Sequence, residues 1–230
     1  MIKKISSTHY TMTKILCVIM FITFLTVAGC SQEEIKKPEP TAGSMKKIVA
    51  VGDSLTAAYG LDESEGYPAL LEKKLQADGY NYQVVNAGVS GETSSGALSR
   101  MEWILTLEPD IVVLETGAND GLRGIDPQVT EENIRRILQL LKDKNVGVLL
   151  AGMKMVANLG PDYVARFNTV YPQLAKEFEV VFMPFFLEGV AMKRAMTLSD
   201  GIHPNAAGYK VITKNIFPFV VQVIDKRAEQ

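Results

Sequence analysis

Five short apolar runs punctuate the chain: Ile48-Val49-Ala50-Val51, Tyr82 to Val85, Ile111-Val112-Val113-Leu114, Val148-Leu149-Leu150 and Val180-Val181-Phe182-Met183. They are rich in β-branched residues and apolar on both alternating faces, as strands buried on both sides of a parallel sheet should be. Amphipathic patterns fill the gaps. Tyr67, Leu70, Leu71 and Leu75 share one helical face, as do Ile134, Ile137, Leu138 and Leu141. For the latter, Thr130 is the expected N-cap, with Glu131 and Glu132 in the first turn. Further helices are expected from Ser94 to Leu107, Pro161 to Glu177 and Asn205 to about Ile224, the last kinked at Pro218. Strand–helix alternation predicts an α/β fold, a three-layer α/β/α sandwich with a five-stranded parallel sheet. No internal repeat and no second domain interrupts it.

The segment before the first strand reads differently. Lys3, Lys4 and Lys14 precede an apolar run from Ile15 to Val27. That run is too short for a membrane span of about 20 residues and fits the core of an export signal. It ends in Val27-Ala28-Gly29-Cys30, small residues before a cysteine, which resembles a bacterial lipobox. The expectation is a lipoprotein signal peptide at 1–29, then a lipidated Cys30 as the new N-terminus. Residues 30–45, with Pro38, Pro40, Gly43 and Ser44, form a flexible tether, and 46–230 the folded domain. Ser31 follows the cysteine, so an aspartate retention signal is missing. The expected location is outside the cytoplasm, anchored to a membrane through Cys30, on the periplasmic side of the outer membrane if the source is Gram-negative.

Removing residues 1–29 changes the available chemistry. Three of 24 basic residues leave and none of the 26 acidic ones, so the net charge moves from −2 to −5. No basic stripe invites nucleic acid. Cys17 and His9 leave as well. One cysteine remains at the tip and one imidazole, His203, so a disulfide within the chain, a cysteine nucleophile in the fold and a His/Cys zinc site are all excluded. No metal or other cofactor is expected. The sequence says nothing of oligomeric state.

In parallel α/β sheets the site lies at the carboxyl ends of the strands. The first run ends in Gly52-Asp53-Ser54-Leu55. Ser54 there can be a nucleophile or a helix cap. The surroundings are neither the Gly-x-Ser-x-Gly elbow nor a phosphate loop. The second run ends in Asn86-Ala87-Gly88, where the glycine permits close approach of a ligand or makes a turn. The third leads to Gly117-Ala118-Asn119-Asp120, where Asn119 can donate to a reacting oxygen or bond its own loop. Near the end stands Asp200-Gly201-Ile202-His203-Pro204-Asn205. His203 is the available base for Ser54, and Asp200 can fold back onto its Nδ1 to fix the tautomer.

Taken in order, these four blocks resemble the SGNH hydrolases, also called GDSL esterases and lipases, from about Lys46 to Val223. Asn119-Asp120-Gly121-Leu122-Arg123-Gly124, Tyr171-Pro172-x-Leu174-Ala175 and Pro184-Phe185-Phe186 look most like the bacterial thioesterase/lysophospholipase/arylesterase group. Thr56-Ala57-Ala58-Tyr59 stands where that group has Ser-Ala-Gly-Tyr. The resemblance implies a flavodoxin-like strand order, 2-1-3-4-5. It implies a serine esterase acting on small-molecule acyl esters or thioesters, with Ser54, His203 and Asp200 as catalytic triad. Ser54 N–H, Gly88 N–H and Asn119 would be the oxyanion hole. Apolar residues after the strands, Leu159, Phe185 and Phe186 among them, are the expected substrate contacts, and Ala157 to Pro161 the substrate loop. Two other readings stay open: a carbohydrate O-acetylesterase, and a non-catalytic lipid-binding surface lipoprotein.

Overall fold

The computed structural model describes residues 45–155 and 159–229. The expected signal peptide, Cys30, all but the end of the tether, and Ala157 and Asn158 of the substrate loop lie outside them. Five parallel strands form one sheet: β1 (Lys46–Gly52), β2 (Tyr82–Gly88), β3 (Ile111–Glu115), β4 (Gly147–Ala151) and β5 (Val181–Met183). Their order is β2-β1-β3-β4-β5. The central strands carry the β-branched runs, and Ile48 to Val51 and Ile111 to Leu114 are wholly buried.

The helices are α1 (Tyr67–Ala77), α2 (Ser94–Ser99), α3 (Met101–Thr106), α4 (Ala118–Leu122), α5 (Pro127–Asp143), α6 (Pro161–Phe178) and α7 (Ala206–Ala228). α1 packs on α7, while α5 packs on α6 and α2, so helices cover the sheet on both faces. Ile134, Ile137, Leu138 and Leu141 are all buried, as their spacing requires. Truncating one such leucine costs about 2–5 kcal/mol in a core that cannot collapse around it. Among the described residues no helix is long and apolar enough to cross a membrane.

Three local expectations need correcting. α5 starts at Pro127, one turn before the expected cap. Asp126 is the N-cap, its Oδ1 accepting the Gln128 N–H at 3.1 Å. Asp followed by Pro is the stronger start, because the proline needs no N–H at the first helical position. Thr130 is instead buried inside the helix and donates to Asp120 Oδ1. The expected helix from Ser94 to Leu107 is two helices, broken at Arg100. Ser99 Oγ donates to Gly96 O, the carbonyl that the Arg100 N–H would need, and Arg100 N–H turns to Ala97 O. α7 begins after its cap Asn205 and runs on through Pro218 to Ala228, four residues past the expected end.

Candidate active site

The sheet changes direction at β1, with β2 on one side and β3 on the other, and the carboxyl ends of these three strands meet there. β1 ends at Gly52, and only glycine fits. A Cβ would fall onto Thr56 Oγ1, the Glu115 carboxylate and the Glu115 backbone. The chain then turns tightly, Ala57 N–H donating to Asp53 O and Tyr59 N–H to Ser54 O. Tyr209 on α7 donates to Leu55 O at 2.9 Å and ties the turn to the far end of the chain. Ser54 is held half-buried, its N–H without an acceptor among the described residues.

His203 reaches it from the loop before α7. Leu198 N–H donates to His203 O and Asn205 N–H to Met196 O, closing this loop on itself. Asn205 both caps α7, accepting from Gly208 N–H, and donates to Ala195 O and Thr197 O. His203 Nε2 lies 2.9 Å from Ser54 Oγ, and Nδ1 lies 2.7 Å from Asp200 Oδ2. Asp200 Oδ1 accepts the N–H groups of Ile202 and His203. With Nδ1–H directed at the carboxylate, Nε2 is left as acceptor for the serine proton. The ring bond first, then the two backbone donors, hold the Asp200 carboxyl down at about 2. Tyr59, which closes the Thr56-Ala57-Ala58-Tyr59 stretch and had no role expected of it, lays its ring 4.5 Å from the imidazole. The tyrosine that this stretch shares with the Ser-Ala-Gly-Tyr pattern was the available signal.

Asn119 stands in the first turn of α4, after Gly117 at φ +97°. Its Nδ2 donates to Asp53 Oδ2 and to Glu92 O, both at 3.0 Å. Glu92 is itself clamped by Arg100 in a two-pronged ion pair, both bonds 2.7 Å, and Arg100 reaches on towards Gly52 O. Asp120 accepts from the backbone and hydroxyl of Ser94, so the α2 and α4 loops are tied together.

Gly88 does not have the place expected of it. Its N–H donates to Asn86 Oδ1 at 3.0 Å, and a Cβ there would strike the backbone of Thr56 and Ala57. It is a glycine so that β2 can abut the Ser54 turn, and its N–H is occupied. Three residues on, Gly91 sits at φ +80° with no acceptor for its N–H among the described residues. Its carbonyl takes a bond from Arg123, and the next carbonyl, Glu92 O, touches Asn119. A second glycine in Ser90-Gly91-Glu92 was the signal for it.

The expected substrate contacts separate. Phe186 is fully buried edge-on against Tyr67, ring centroids 5.2 Å apart, so it is core and unavailable to a ligand. Phe185 is half-buried with Lys154 Nζ over its ring. Leu159 is exposed and lies beside Gly124, in the loop that follows Asn119. Among the described residues no group of three or more His, Cys, Asp or Glu is arranged to hold a metal ion.

Beneath the serine lies a pair of acids. Glu115, at the end of β3, is fully buried, its Oε2 accepting from Thr56 Oγ1 at 2.9 Å and Asp53 N–H at 3.3 Å. Burial first, and the Asp53 charge second, push the Glu115 carboxyl well above the usual range. Burial likewise raises Asp53 to about 6, against the opposing pull of the Leu55 N–H and Asn119.

Residues 50–211 match the GDSL-like lipase/acylhydrolase family model. The chain is 40% identical to the esterase TesA of Pseudomonas aeruginosa over 84% of this chain and 96% of that protein. It is 44% identical to the thioesterase 1/protease 1/lysophospholipase L1 of Escherichia coli K12, over 71% and 78%. Among solved structures, the esterase EstA from Pseudoalteromonas superposes with a TM-score of 0.75 at 32% identity, covering 78% of this chain and 99% of that one. A crystal structure of TesA superposes at 0.74 and 41% identity, covering 77% and 99%. A GDSL block ahead of a Gly-x-Asn-Asp block and a terminal Asp-x-x-His, on this strand order and with relatives of this likeness, makes the chain an enzyme of the GDSL-like lipase/acylhydrolase, or SGNH hydrolase, family, of the esterase and thioesterase type.

Proposed function

We propose that this enzyme hydrolyses acyl esters or thioesters with Ser54 as nucleophile, His203 as general base and acid, and Asp200 as the carboxylate that orients the ring. The unbroken chain of bonds from Asp200 Oδ2 through His203 to Ser54 Oγ carries this reading. The Oγ proton passes to Nε2 as Oγ attacks the acyl carbon, and the carbonyl oxygen becomes an oxyanion. Its collapse expels the alcohol or thiol, which takes the proton from Nε2. Water then repeats the cycle on the acyl-enzyme and frees the acid. Asp200, held at about 2, remains charged throughout.

The oxyanion donors are the Ser54 N–H, the Gly91 N–H and the Asn119 amide. Both hydrogens of the Asn119 amide are engaged at rest, one by a charged oxygen and one by a neutral carbonyl. An arriving oxyanion takes the hydrogen held by neutral Glu92 O, because a charge-assisted bond is about twice as strong as a neutral one.

Exposed apolar side chains follow the carboxyl ends of four strands and flank the base: Tyr59, Val89, Leu122, Leu159 and Ile202. They favour an alkyl or aryl acyl group over an acetylated sugar. The related P. aeruginosa and E. coli proteins are named esterase, thioesterase and lysophospholipase, which fits a substrate of that kind. The related EstA is inhibited by monoethylphosphonate. A fluorophosphonate probe should therefore label Ser54 alone, located by peptide mass spectrometry. Labelling of Ser90, Ser94 or Ser95 instead would reject the assignment. A chain-length series of p-nitrophenyl esters run beside acetylated sugars separates the two substrate classes.

From the lipobox-like Val27-Ala28-Gly29-Cys30 that ends the apolar run, we further propose that the enzyme is exported and tethered to a membrane by a lipid on Cys30. A native N-terminal peptide that begins at an unmodified residue other than Cys30 would overturn it.

A further inference from the structure

We propose that Asp53 is a positioning residue, whose carboxylate aims the Asn119 amide and the Ser54 turn, and that Glu115 beneath it is the neutral, proton-holding partner in this arrangement. This rests on Asn119 being an oxyanion donor.

The geometry is that of a bracket. Asp53 Oδ1 accepts the Leu55 N–H at 2.9 Å, inside the turn that presents Ser54, and Oδ2 accepts from Asn119 at 3.0 Å. One carboxylate thus spans the nucleophile's own turn and α4. Asp53 is 1% exposed, so water cannot substitute for either bond. Its backbone N–H rests on Glu115, and Thr56 Oγ1 lies between Glu115 Oε2 and Tyr67 Oη, 2.9 and 3.2 Å away.

Glu115 has the wrong surroundings for a charge. It is fully buried, and its second oxygen, Oε1, has no hydrogen-bond partner among the described residues. An ionised carboxylate with a bare oxygen in a dry interior is far costlier than the acid form. Glu115 feels the Asp53 charge, and two interacting carboxylates do not both ionise readily, so one proton stays on the pair. Asp53 has two good donors plus the His203 side of the site, whereas Glu115 has one short and one long donor. The proton therefore resides on Glu115. The Thr56 hydroxyl both donates and accepts, and can serve the acid as readily as the anion.

The other groups facing the pair bias it the same way. Asp53 feels Glu92, which raises it, and His203, which lowers it. Arg100 neutralises much of Glu92 through their ion pair. Glu115 feels Asp53 and Glu92, and the phenols of Tyr67, Tyr171 and Tyr209 pack around the same interior. A proton added to Asp53 would weaken its hold on Asn119. Acid thus strikes the enzyme twice, at His203 and at Asp53.

A double-mutant cycle with pH profiles tests this. Asn119→Ala should lower kcat by about 10²–10³, the usual loss for one oxyanion donor. Asp53→Asn should lower kcat by a similar factor and move KM less than about threefold. The double variant should be no slower than Asn119→Ala alone, since the side-chain oxygen left by Asp53→Asn still accepts the Leu55 N–H and what that substitution loses acts through Asn119. Multiplying losses would overturn the proposal. A silent Asn119→Ala would instead sink the oxyanion assignment itself, so the two failures are distinguishable. Circular dichroism checks that each variant folds.

Glu115→Gln keeps the falsifiable part if Asp53→Asn does not fold. As a neutral stand-in for a neutral acid, it should leave the alkaline plateau of kcat/KM within about threefold. It should also leave the acid limb of log kcat/KM as steep as in the parent enzyme, because Asp53 and not Glu115 takes up the proton there. A loss above 100-fold on the plateau, or an acid limb that becomes shallower, would show that Glu115 works as a carboxylate.

Discussion

Asp200 and Asp53 are the same side chain, and each is one hydrogen bond from a residue of the site. Asp200 holds His203 and Asp53 holds Asn119. Asp200 lies in an exposed loop with three donors around it, which keep its carboxyl at about 2. Asp53 lies under the sheet's central edge with two side-chain bonds and a second acid below, and burial takes it to about 6. Function asks the same of both, an anion that aims a partner. What differs is whether water shares the load. The exposed residue needs only local donors, whereas the buried one needs a neighbour that gives up its own charge.

Their effects on stability have opposite signs. Asp200 is lower in the fold than its ordinary 3.8, so its contribution is fully present above about pH 4 and fades as pH falls towards 2. Asp53 is higher in the fold, so the native state binds its proton more tightly. Its contribution favours the fold in acid and is lost as pH rises from about 4 through 6.

Breaking the exposed half should give the larger kinetic effect. Asp200→Asn lets the ring adopt the wrong tautomer and should lower kcat by about 10⁴-fold with the fold intact. A loss under tenfold in steady-state assays would mean that the loop alone orients His203. The buried half, tested by Asp53→Asn, should cost about 10²–10³ through one oxyanion donor. If it cost more than Asp200→Asn, the ranking of the two aspartates would be reversed.

The comparison sharpens in thermal denaturation. Glu115→Gln removes a buried acid that the unfolded chain would ionise at neutral pH. It should raise Tm at pH 8 and leave it nearly unchanged at pH 4, by about 2–4 °C for each kcal/mol recovered. A uniform shift at both pH values would assign the effect to packing. The smallest expected effect is in the serine turn. Ala58 is buried at φ +58°, a conformation that costs an L-residue about 1–2 kcal/mol. Glycine there relieves this and loses some in chain entropy, so Ala58→Gly should stabilise by about 1 kcal/mol or less in urea titration. Destabilisation would show that the Ala58 methyl matters more as core.

Much of this molecule is legible along the chain. The five apolar runs are the five strands: Ile111 to Leu114 of β3 and Ile48 to Val51 of β1 are buried on both faces and so apolar throughout, while the edge strand β2 tolerates an exposed Gln83. Asp200 and His203 could be paired from their spacing, since a bond across three residues is a local matter. The strand order followed from family likeness, not from periodicity. Thr130 and the Ser94 helix were misjudged where two local signals competed, and the better hydrogen-bond acceptor won.

What the chain order could not disclose are contacts set by strand register. Gly88 is paired beside Gly52 and pressed against the Ser54 turn, so its N–H is occupied, while Gly91 three residues on is not. Phe186 and Phe185 are neighbours in sequence, yet one is core and the other half-exposed. Glu115 reads as an ordinary acid closing an apolar run, although an acid at the end of a buried strand is itself a signal. Only the sheet brings it under Asp53, 62 residues away. Sequence patterns report burial and short-range bonding. Which polar groups share a dry interior, and so which of them must keep a proton, is decided when distant strands pair.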